Sequence, residues 1–299
     1  MRTVVTGGAG FIGSHVVDAL IARGDDVVVV DNLSSGRRDY VADAARFEEL
    51  DIRDPRLTEL FGEVRPDLCV HLAAQADVST SVAQPAYDAD VNVVGTVRVL
   101  EAAGSARVVF SSTGGAIYGE CERPAREDDP RRPLSPYGTA KLAAEEYLSM
   151  WNRLHGTRHV TLRFGNVYGP RQSATLEGGV VAIFLERLAA DDETTIFGDG
   201  KQSRDFVYVG DVAAAVLRAA AHDGGGVYNV GTGDDTSVLD LHELCGRVSG
   251  NDRRPTLAAP RPGDLLRSVL DTTLAERDLG WRAGTSLEDG LRLTWDSLR

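Results

Sequence analysis

The feature that most restricts the fold of this chain is a glycine-rich turn near its start. A short β-branched run at residues 3–6 leads directly into residues 7–13, which read Gly-Gly-Ala-Gly-Phe-Ile-Gly. Glycines at such a turn let the backbone approach a pyrophosphate, whose charge the N-terminus of the following helix stabilises. Asp31 ends the next apolar run, residues 27–30, where a carboxylate can bind the hydroxyls of an adenosine ribose. Because no arginine directly follows this acid, the segment predicts a dinucleotide-binding βαβ unit that prefers NAD to NADP.

Strands and helices continue to alternate beyond this unit. Apolar runs at residues 68–72 and 107–111 alternate with helical stretches such as residues 11–22 and 93–103. Such alternation is typical of a parallel sheet with helices on both faces. We therefore predict an α/β fold, with a Rossmann-like doubly wound parallel sheet, for residues 1–165.

The pattern changes after residue 170, where glycine-rich loops separate shorter elements. This change indicates a smaller C-terminal substrate-binding lobe formed mainly by residues 166–299. Roughly residues 205–232 are expected to pack back on the main sheet and to belong to the NAD-binding domain.

Composition restricts the partners and the location. The net charge of −13 argues against nucleic acid, which requires a basic surface. No run reaches the roughly eighteen apolar residues of a membrane span, and the first residues form a strand rather than a signal peptide. Three scattered cysteines and six dispersed histidines lack metal-ligand spacing. We therefore expect a cytoplasmic protein with no membrane partner and no metal.

Tyr137 and Lys141 form the candidate catalytic pair. They are four residues apart in a segment that reads as a helix, so their side chains share one face. The pKa of a free tyrosine is about 10, and a nearby lysine ammonium and an oxidised nicotinamide are both expected to lower it, making the phenol a usable base. Taken alone, such a pair is usually a solvated surface pair, but the upstream dinucleotide turn favours catalysis. A third group would be a hydroxyl at the end of the preceding strand, from Ser111, Ser112 or Thr113.

These motifs together resemble the extended short-chain dehydrogenase/reductase family. The glycine spacing is Gly-x-x-Gly-x-x-Gly, and residues 51–54 (Asp-Ile-Arg-Asp), 71–75 (His-Leu-Ala-Ala-Gln) and 91–96 (Val-Asn-Val-Val-Gly-Thr) follow in the family's order. The resemblance implies bound NAD and places the catalytic hydroxyl on Thr113, with Ser112 as the alternative. The cofactor-binding residues that it implies are Gly7, Gly10, Phe11, Ile12, Gly13, Asp31, Asn32, Ser35, Gly36, Asp51, Ile52, Leu72, Ala73, Ala74, Gln75, Asn92, Ser111, Tyr137 and Lys141.

The second half resembles the nucleotide-sugar epimerases of the same family. By this resemblance Asn166, Arg204 and Arg261 bind the substrate diphosphate and Asp264 binds its ribose. Guanidinium groups bind phosphate oxygens bidentately, although either arginine alone would be read as a surface residue. Ser268 occupies the position that sets the width of the sugar pocket, and its small side chain predicts a roomy one. The substrate-binding residues implied are Thr113, Tyr137, Asn166, Gly179, Val180, Arg204, Arg261, Asp264 and Ser268.

The resemblance implies NAD-dependent epimerisation at C4 of a UDP-hexose, UDP-glucose or UDP-galactose, through a transient 4-keto sugar. Related 4,6-dehydratases have an Asp-Glu pair after the threonine, and related decarboxylases have a glutamate there, whereas this chain has Gly114 and Gly115. The open alternatives are the same reaction on UDP-glucuronate or a UDP-N-acetylhexosamine, a 4,6-dehydratase or 4-ketoreductase, and a non-catalytic NAD-sensing protein. The family also suggests a homodimer, with residues 93–103 and 140–154 as the candidate helices.

Overall fold

The computed structural model describes residues 1–174, 179–260 and 265–299. The strands are β1 (Arg2–Thr6), β2 (Asp26–Asp31), β3 (Arg46–Glu49), β4 (Leu68–His71), β5 (Arg107–Thr113), β6 (Val160–Phe164), β7 (Asn166–Tyr168), β8 (Thr195–Phe197), β9 (Ser203–Arg204), β10 (Phe206–Tyr208), β11 (Gly226–Val230), β12 (Thr236–Ser237), β13 (Thr256–Ala258) and β14 (Arg267–Ser268). The helices are α1 (Phe11–Ala22), α2 (Arg56–Val64), α3 (Val78–Ala83), α4 (Pro85–Ala89), α5 (Gly95–Ala103), α6 (Gly114–Ile117), α7 (Pro136–His155), α8 (Val180–Ala189), α9 (Val209–Ala221), α10 (Val238–Ser249), α11 (Thr273–Leu279) and α12 (Leu287–Asp296). A 3₁₀ turn at Arg38–Tyr40 and a π-helical turn at Asp90–Val94 complete the regular elements of this part of the chain.

Seven parallel strands form the central sheet, in the order β3-β2-β1-β4-β5-β6-β11. The strand order reverses between β1 and β4, which are direct neighbours. In open α/β sheets of this kind, ligands bind in the crevice outside the carboxyl ends of the strands at the reversal. The predicted Rossmann-like fold is therefore confirmed, and the topology itself points to the ends of β1 and β4.

The continuous apolar strands are explained by burial on both faces of the sheet. Val4 and Val5 are neighbours on β1 and both are fully buried, yet they belong to two different cores because successive side chains alternate in direction. Val5 packs in the core that α1 and α9 cover, and Val4 packs in the core that α2, α5 and α7 cover. Each such burial contributes roughly 2 kcal/mol relative to exposure.

A third core lies in the second half of the chain, where the sheets are small. β7 pairs with β10, β8 pairs with β13, and β9 lies between β12 and β14. Helices α8, α10 and α12 pack around these strands through Phe184, Leu241 and Leu291. By contrast, α9 packs against α1, and β11 pairs with β6 in the main sheet. Within the described residues, no helix is long and apolar enough to cross a membrane.

Asp205 connects the small sheets to the main one. Its buried carboxylate accepts hydrogen bonds from the Thr232 amide (2.7 Å) and hydroxyl (2.8 Å), the Gly233 amide (3.1 Å) and the Leu270 amide (3.2 Å). These donors lie just after β11 and β14. Asp205 therefore fixes the position of Arg204, which precedes it, relative to the end of the central sheet.

Candidate active site

A cavity of about 1060 Å³ begins at the carboxyl ends of β1 and β4 and extends to the small sheets. Both halves of the chain contribute to its wall. The predicted site residues that line it are Gly7, Gly10, Phe11, Ile12, Gly13, Asp31, Asn32, Ser35, Asp51, Ile52, Leu72, Ala73, Ala74, Gln75, Ser111, Ser112, Thr113, Tyr137, Lys141, Asn166, Gly179, Val180 and Arg204. Gly36, Asn92 and Ser268 stand just behind this lining, whereas Arg261 and Asp264 lie outside the described residues.

The glycine turn has no room for side chains. Gly7 has a φ of +72°, and a Cβ there would lie 2.5 Å from the amide nitrogen of Ala73. A Cβ on Gly13 would lie 2.0 Å from the carbonyl oxygen of Gly7. The turn thus presents bare backbone at the start of α1, which is the arrangement that admits a pyrophosphate. On this observation the residues fit a dinucleotide cofactor.

Acidic side chains order the adenosine end of the cavity. The buried Asp31 carboxylate accepts from the amides of Ala9 (2.9 Å) and Leu33 (2.8 Å), and burial raises its pKa. Asn32 donates to Asp51 (2.8 Å), and the Arg53 guanidinium holds the pKa of that carboxyl well below its usual range. Each Asp31 oxygen retains a second acceptor site, so the carboxylate can also accept from a ribose.

Gly36 supports the same turn from behind. A Cβ at this position would lie 3.0 Å from backbone atoms of Ala9, and the neighbouring Arg37 amide donates to the Ala9 carbonyl (2.9 Å). The Arg37 guanidinium pairs with Asp39 (2.6 Å). Gly36 therefore acts through the shape of the turn rather than by lining the cavity.

His71 is the last residue of β4 and is buried directly before residues 72–75, which line the cavity. The Thr96 hydroxyl donates to the Asn92 carbonyl (2.7 Å), so the His71 Nε2–H must donate to Thr96 Oγ1 (3.0 Å). Nδ1 is then the acceptor for the Thr6 hydroxyl (2.7 Å). Complete burial lowers the pKa of His71 to about 3, so the ring is neutral at working pH.

Tyr137 and Lys141 lie in the first two turns of α7. The helix begins at Pro136, and the Ser135 hydroxyl caps it by accepting from the Gly138 amide (3.1 Å). Lys141 donates from Nζ to the Ser111 carbonyl (3.0 Å) and lies over the Phe110 ring, 4.7 Å from its centre. The end of β5 thus holds the lysine against the cavity wall.

The pKa values of this pair differ from the expectation. Burial, and then the Asp88 carboxylate, raise the pKa of Tyr137 above its ordinary value, and burial lowers the pKa of Lys141 to about 8. Burial, the larger of the two effects on Tyr137, is not visible in the sequence. Formation of the phenolate therefore depends on positive charge added to the site.

The three hydroxyls at the end of β5 are in different environments. Ser111 donates to the His71 carbonyl (3.2 Å), whereas the Ser112 hydroxyl is buried and has no partner within the described residues. Thr113 is the N-cap residue of α6, but its side chain makes no capping hydrogen bond. Thr113 and Ser112 thus remain the candidates for the catalytic hydroxyl.

Gly115 marks the predicted sugar pocket. A Cβ there would lie 3.7 Å from Asn166 Oδ1, 3.9 Å from Thr113 Oγ1 and 4.0 Å from Ser268 Oγ. Residues from β5, β7 and β14 therefore meet around this glycine, and Ser268 contributes a small buried side chain. We call this group of four residues, Gly115, Thr113, Asn166 and Ser268, the sugar corner. Thr113 and Asn166 line the cavity, and the small residues Gly115 and Ser268 adjoin them.

Three further predicted substrate-binding residues, Arg204, Gly179 and Val180, line the cavity outside the sugar corner. Arg204 lines the cavity, and its Nη1 donates to the carbonyls of Ser203 and Leu265 (2.8 Å each). Gly179 precedes α8 and Val180 begins it. A Cβ on Gly179 would lie 2.4 Å from the side-chain nitrogen of Gln172.

Several lining residues were not predicted. Phe197 and Gln202 lie only a few residues before Arg204 in the sequence, so the prediction of Arg204 could have been extended to them. Arg187 on α8 and Glu193 after it follow no motif. Asp88, which is fully buried beside the catalytic pair, lies four residues before Asn92 in a helical segment, and that spacing is a usable signal.

Comparison with known proteins shows the family to which the chain belongs. The chain belongs to the NAD dependent epimerase/dehydratase family, whose model matches residues 3–231. This result confirms the family predicted from the sequence. Within the family, the chain is 47% identical to the UDP-glucose 4-epimerase of Mycolicibacterium smegmatis, over 100% of this chain and 99% of that protein.

Two solved structures show the same similarity. The UDP-glucose 4-epimerase of Thermotoga maritima with UDP-glucose has a TM-score of 0.98 and 47% identity, covering 100% of this chain and 99% of that one. The UDP-glucose 4-epimerase of Thermus thermophilus in complex with NAD has a TM-score of 0.94 and 45% identity, with the same coverage.

Proposed function

We propose that this chain is an NAD-dependent epimerase that inverts C4 of a UDP-hexose, interconverting UDP-glucose and UDP-galactose. One observation carries the proposal. Tyr137, Lys141 and Thr113 line a single cavity between the glycine turn of residues 7–13 and the pair Asn166 and Arg204. The similarity to UDP-glucose 4-epimerases along the whole chain supports the same reading.

The cofactor would be held by the glycine turn, Asp31, the loop after β4 and Lys141. NAD, when bound, supplies the acceptor of the C4 hydride, the source of its return, and a positive nicotinamide charge. The chain's own part is acid–base chemistry at the 4-hydroxyl. Tyr137 takes the proton from that oxygen and gives it back, and the Lys141 ammonium stabilises the phenolate.

The hydroxyl of Thr113, or of Ser112, donates to the same sugar oxygen and keeps it in line with Tyr137. Inversion requires the oxidised sugar to turn and present its other face before it is reduced. Asn166 and Arg204 hold the diphosphate, and the sugar corner offers room for that rotation. Arg261 and Asp264 are proposed to complete the nucleotide contacts.

The residues after Thr113 favour epimerisation over elimination. Gly114 and Gly115 provide no carboxylate at the point where 4,6-dehydratases have their acid pair. A Cβ on Gly114 would lie 2.5 Å from Cδ1 of the buried Leu270, so any side chain at this position would have to displace that leucine. Without that acid, the C4 oxidation has no adjacent group to remove water from C5 and C6.

A second candidate is the same reaction on a larger sugar. The sugar corner has glycine at 115 and serine at 268, so it leaves space for an N-acetyl group or a C6 carboxylate. This candidate uses the same catalytic residues and differs only in the substituents of the sugar.

The experiment incubates the purified protein separately with UDP-glucose, UDP-N-acetylglucosamine and UDP-glucuronate, without added reductant. Chromatography and mass spectrometry then identify the products. We expect UDP-galactose, of unchanged mass, to form fastest. A product lighter by one water would indicate a dehydratase, and no change in any of the three would refute the proposal.

Assembly, domains and location are also proposals. Val82, Val94, Tyr147 and Leu154 are exposed on α3, the π-helical turn and α7, which pack against each other. We propose that this face forms a homodimer, which light scattering would test.

We also propose residues 1–165 with roughly 205–232 as the NAD-binding domain and the remainder as the substrate lobe. We propose a cytoplasmic location for the protein.

A further inference from the structure

Asp88 is a buried acid to which the mechanism above gives no role. It lies in α4 and is fully buried. One carboxylate oxygen accepts from the side-chain amides of Gln75 (2.8 Å) and Asn92 (2.9 Å). The other oxygen is buried and has no hydrogen-bond partner within the described residues.

The two amide side chains belong to the nicotinamide end of the cavity. Gln75 lines this end of the cavity. The Asn92 side chain accepts a hydrogen bond from the backbone N–H of Gln75 (3.1 Å) and donates one to the backbone carbonyl of Gln75 (2.9 Å). Asp88 therefore orders the loop after β4 through neutral groups only. Its negative charge is not compensated by these contacts.

The catalytic lysine carries the opposite charge, which is also buried and also lacks a charged hydrogen-bond partner in the described part of the chain. Lys141 is buried, and its hydrogen bond goes to the neutral Ser111 carbonyl. Glu145, the other acid near it on α7, already forms a buried ion pair with Arg163 (2.7 Å). Among the described residues, Asp88 and Lys141 are thus opposite buried charges without a salt-bridge partner of their own. Helix α4, which carries Asp88, packs against α7, which carries Lys141. An isolated buried charge is costly, and an opposite charge on a neighbouring element offsets part of that cost.

We propose that Asp88 is the counter-ion of Lys141 and the positioning residue of the catalytic pair. One oxygen holds Gln75 and Asn92 in place. The charge keeps Lys141 as an ammonium and at the same time makes the Tyr137 phenolate harder to form. Asp88 does not touch the reacting atoms, so it acts through Tyr137 and Lys141.

The electrostatic effects of the groups around the pair have consistent signs. Asp88 raises the pKa of both Tyr137 and Lys141, and Glu145 adds to the effect on the lysine. Lys141 in turn opposes the burial that raises the pKa of Asp88 and lowers the pKa of His71, which faces it from β4. Removing only the charge of Asp88 should therefore move both ionisations of the pair towards lower pH.

The test is Asp88→Asn, which keeps an acceptor for Gln75 and Asn92 but removes the charge. In the NAD-loaded protein we expect both limits of the kcat–pH profile to move about one unit to lower pH. The KM for UDP-glucose should stay within about twofold, because Asp88 does not line the diphosphate end. Asp90→Asn is the matched control. It removes a charge of the same sign two residues away, from an exposed side chain paired with Arg53, and should leave both limits in place.

A second readout does not depend on turnover. The ultraviolet difference spectrum of tyrosinate, taken against a Tyr137→Phe reference in each background, follows Tyr137 directly. We expect its midpoint to fall by about one unit in Asp88→Asn. If that variant does not fold, Asp88→Glu is compared with Asp88→Gln, because these two side chains match in size and differ in charge. The tyrosinate midpoint should then be lower in Asp88→Gln than in Asp88→Glu.

A reduced kcat with both limits unmoved, or a shift of one limit alone, would overturn the proposal and leave Asp88 a structural residue. The inference rests on the proposed function, but the two fail differently. A wild-type protein that does not interconvert UDP-glucose and UDP-galactose would refute the function, and the tyrosinate titration would still test Asp88.

Discussion

The cofactor side and the substrate side of the cavity are built in different ways. On the cofactor side, one contiguous turn, residues 7–13, forms the proposed pyrophosphate site through backbone shape. On the substrate side, Asn166, Arg204 and Ser268 come from β7, β9 and β14, strands of two or three residues in small sheets. The first site is local and defined by missing side chains, whereas the second is assembled from distant side chains and depends on tertiary pairing.

This difference teaches where substitutions should act. A change on the cofactor side meets backbone that cannot move, so its effect on binding should be severe. A change on the substrate side removes one contact of several, so its effect should be graded. Tyr137 lies between the two regions, and loss of its hydroxyl alone should remove the chemistry while leaving the other contacts of both binding sites in place.

The largest effect is expected from Tyr137→Phe. Loss of the acid–base group should reduce kcat by about a thousandfold or more. Binding of NAD and of UDP, each measured by calorimetry, should stay as in the wild type, because the aromatic ring is retained and only the hydroxyl is lost. Activity within a few-fold of wild type would show that another group moves the proton.

Gly13→Ala should come next, and it tests the cofactor side. The new Cβ would lie 2.0 Å from the Gly7 carbonyl oxygen, so the turn must open. We expect NAD affinity to fall by about a hundredfold, or roughly 3 kcal/mol. Gly62→Ala, where no atom lies within 4 Å of the added methyl, is the matched control. Unchanged NAD binding in Gly13→Ala would contradict the contrast drawn between the two regions.

Arg204→Ala tests the substrate side. A charge-assisted contact to phosphate is worth about 2 kcal/mol, so the KM for the UDP-sugar should rise about thirtyfold. NAD binding should not change. Lys201→Ala, which removes the same charge from an exposed side chain in the same loop, should leave KM unaltered. Equal effects of the two variants would mean that net charge, not a defined contact, binds the diphosphate.

Acid should weaken the cofactor side through His71. Its pKa in the folded protein is about 3, below the roughly 6.5 of an unfolded histidine, so protonation favours unfolding. This contribution is intact above the unfolded pKa and is lost as the pH falls below it. Between about pH 7.5 and about pH 5, the loss should be about 2 kcal/mol smaller in His71→Gln than in wild type, measured by denaturant unfolding. Identical losses would place the acid sensitivity elsewhere, for example at the buried His159.

The smallest effect is expected in the sugar corner. Gly115→Ala adds one methyl group at ordinary contact distance from Thr113, Asn166 and Ser268. The ratio of kcat/KM for UDP-N-acetylglucosamine to that for UDP-glucose should fall about tenfold. An unchanged ratio would mean that the N-acetyl group points away from this corner.

Sequence reasoning reached further on the cofactor side for a physical reason. The need for glycine at 7 and 13, and for an acid at 31, follows from the local geometry of one βαβ unit. All three positions lie within a single short segment of the sequence. Arg187 and Glu193 line the cavity only because β8 and α8 fold over it. No local sequence pattern therefore predicts that they belong to the site. The raised pKa of Tyr137 was missed because burial, which the sequence does not state, outweighs the charge four residues away.

The contact between Gly114 and Leu270 also has an evolutionary consequence. Leu270 is buried, and its methyl groups occupy the space that any side chain at position 114 would need. An acid at 114 would have to displace the Leu270 side chain, so its packing cost depends on what stands at position 270. A path from this chain towards dehydratase chemistry therefore involves position 270 as well as position 114, although the two are far apart in the sequence.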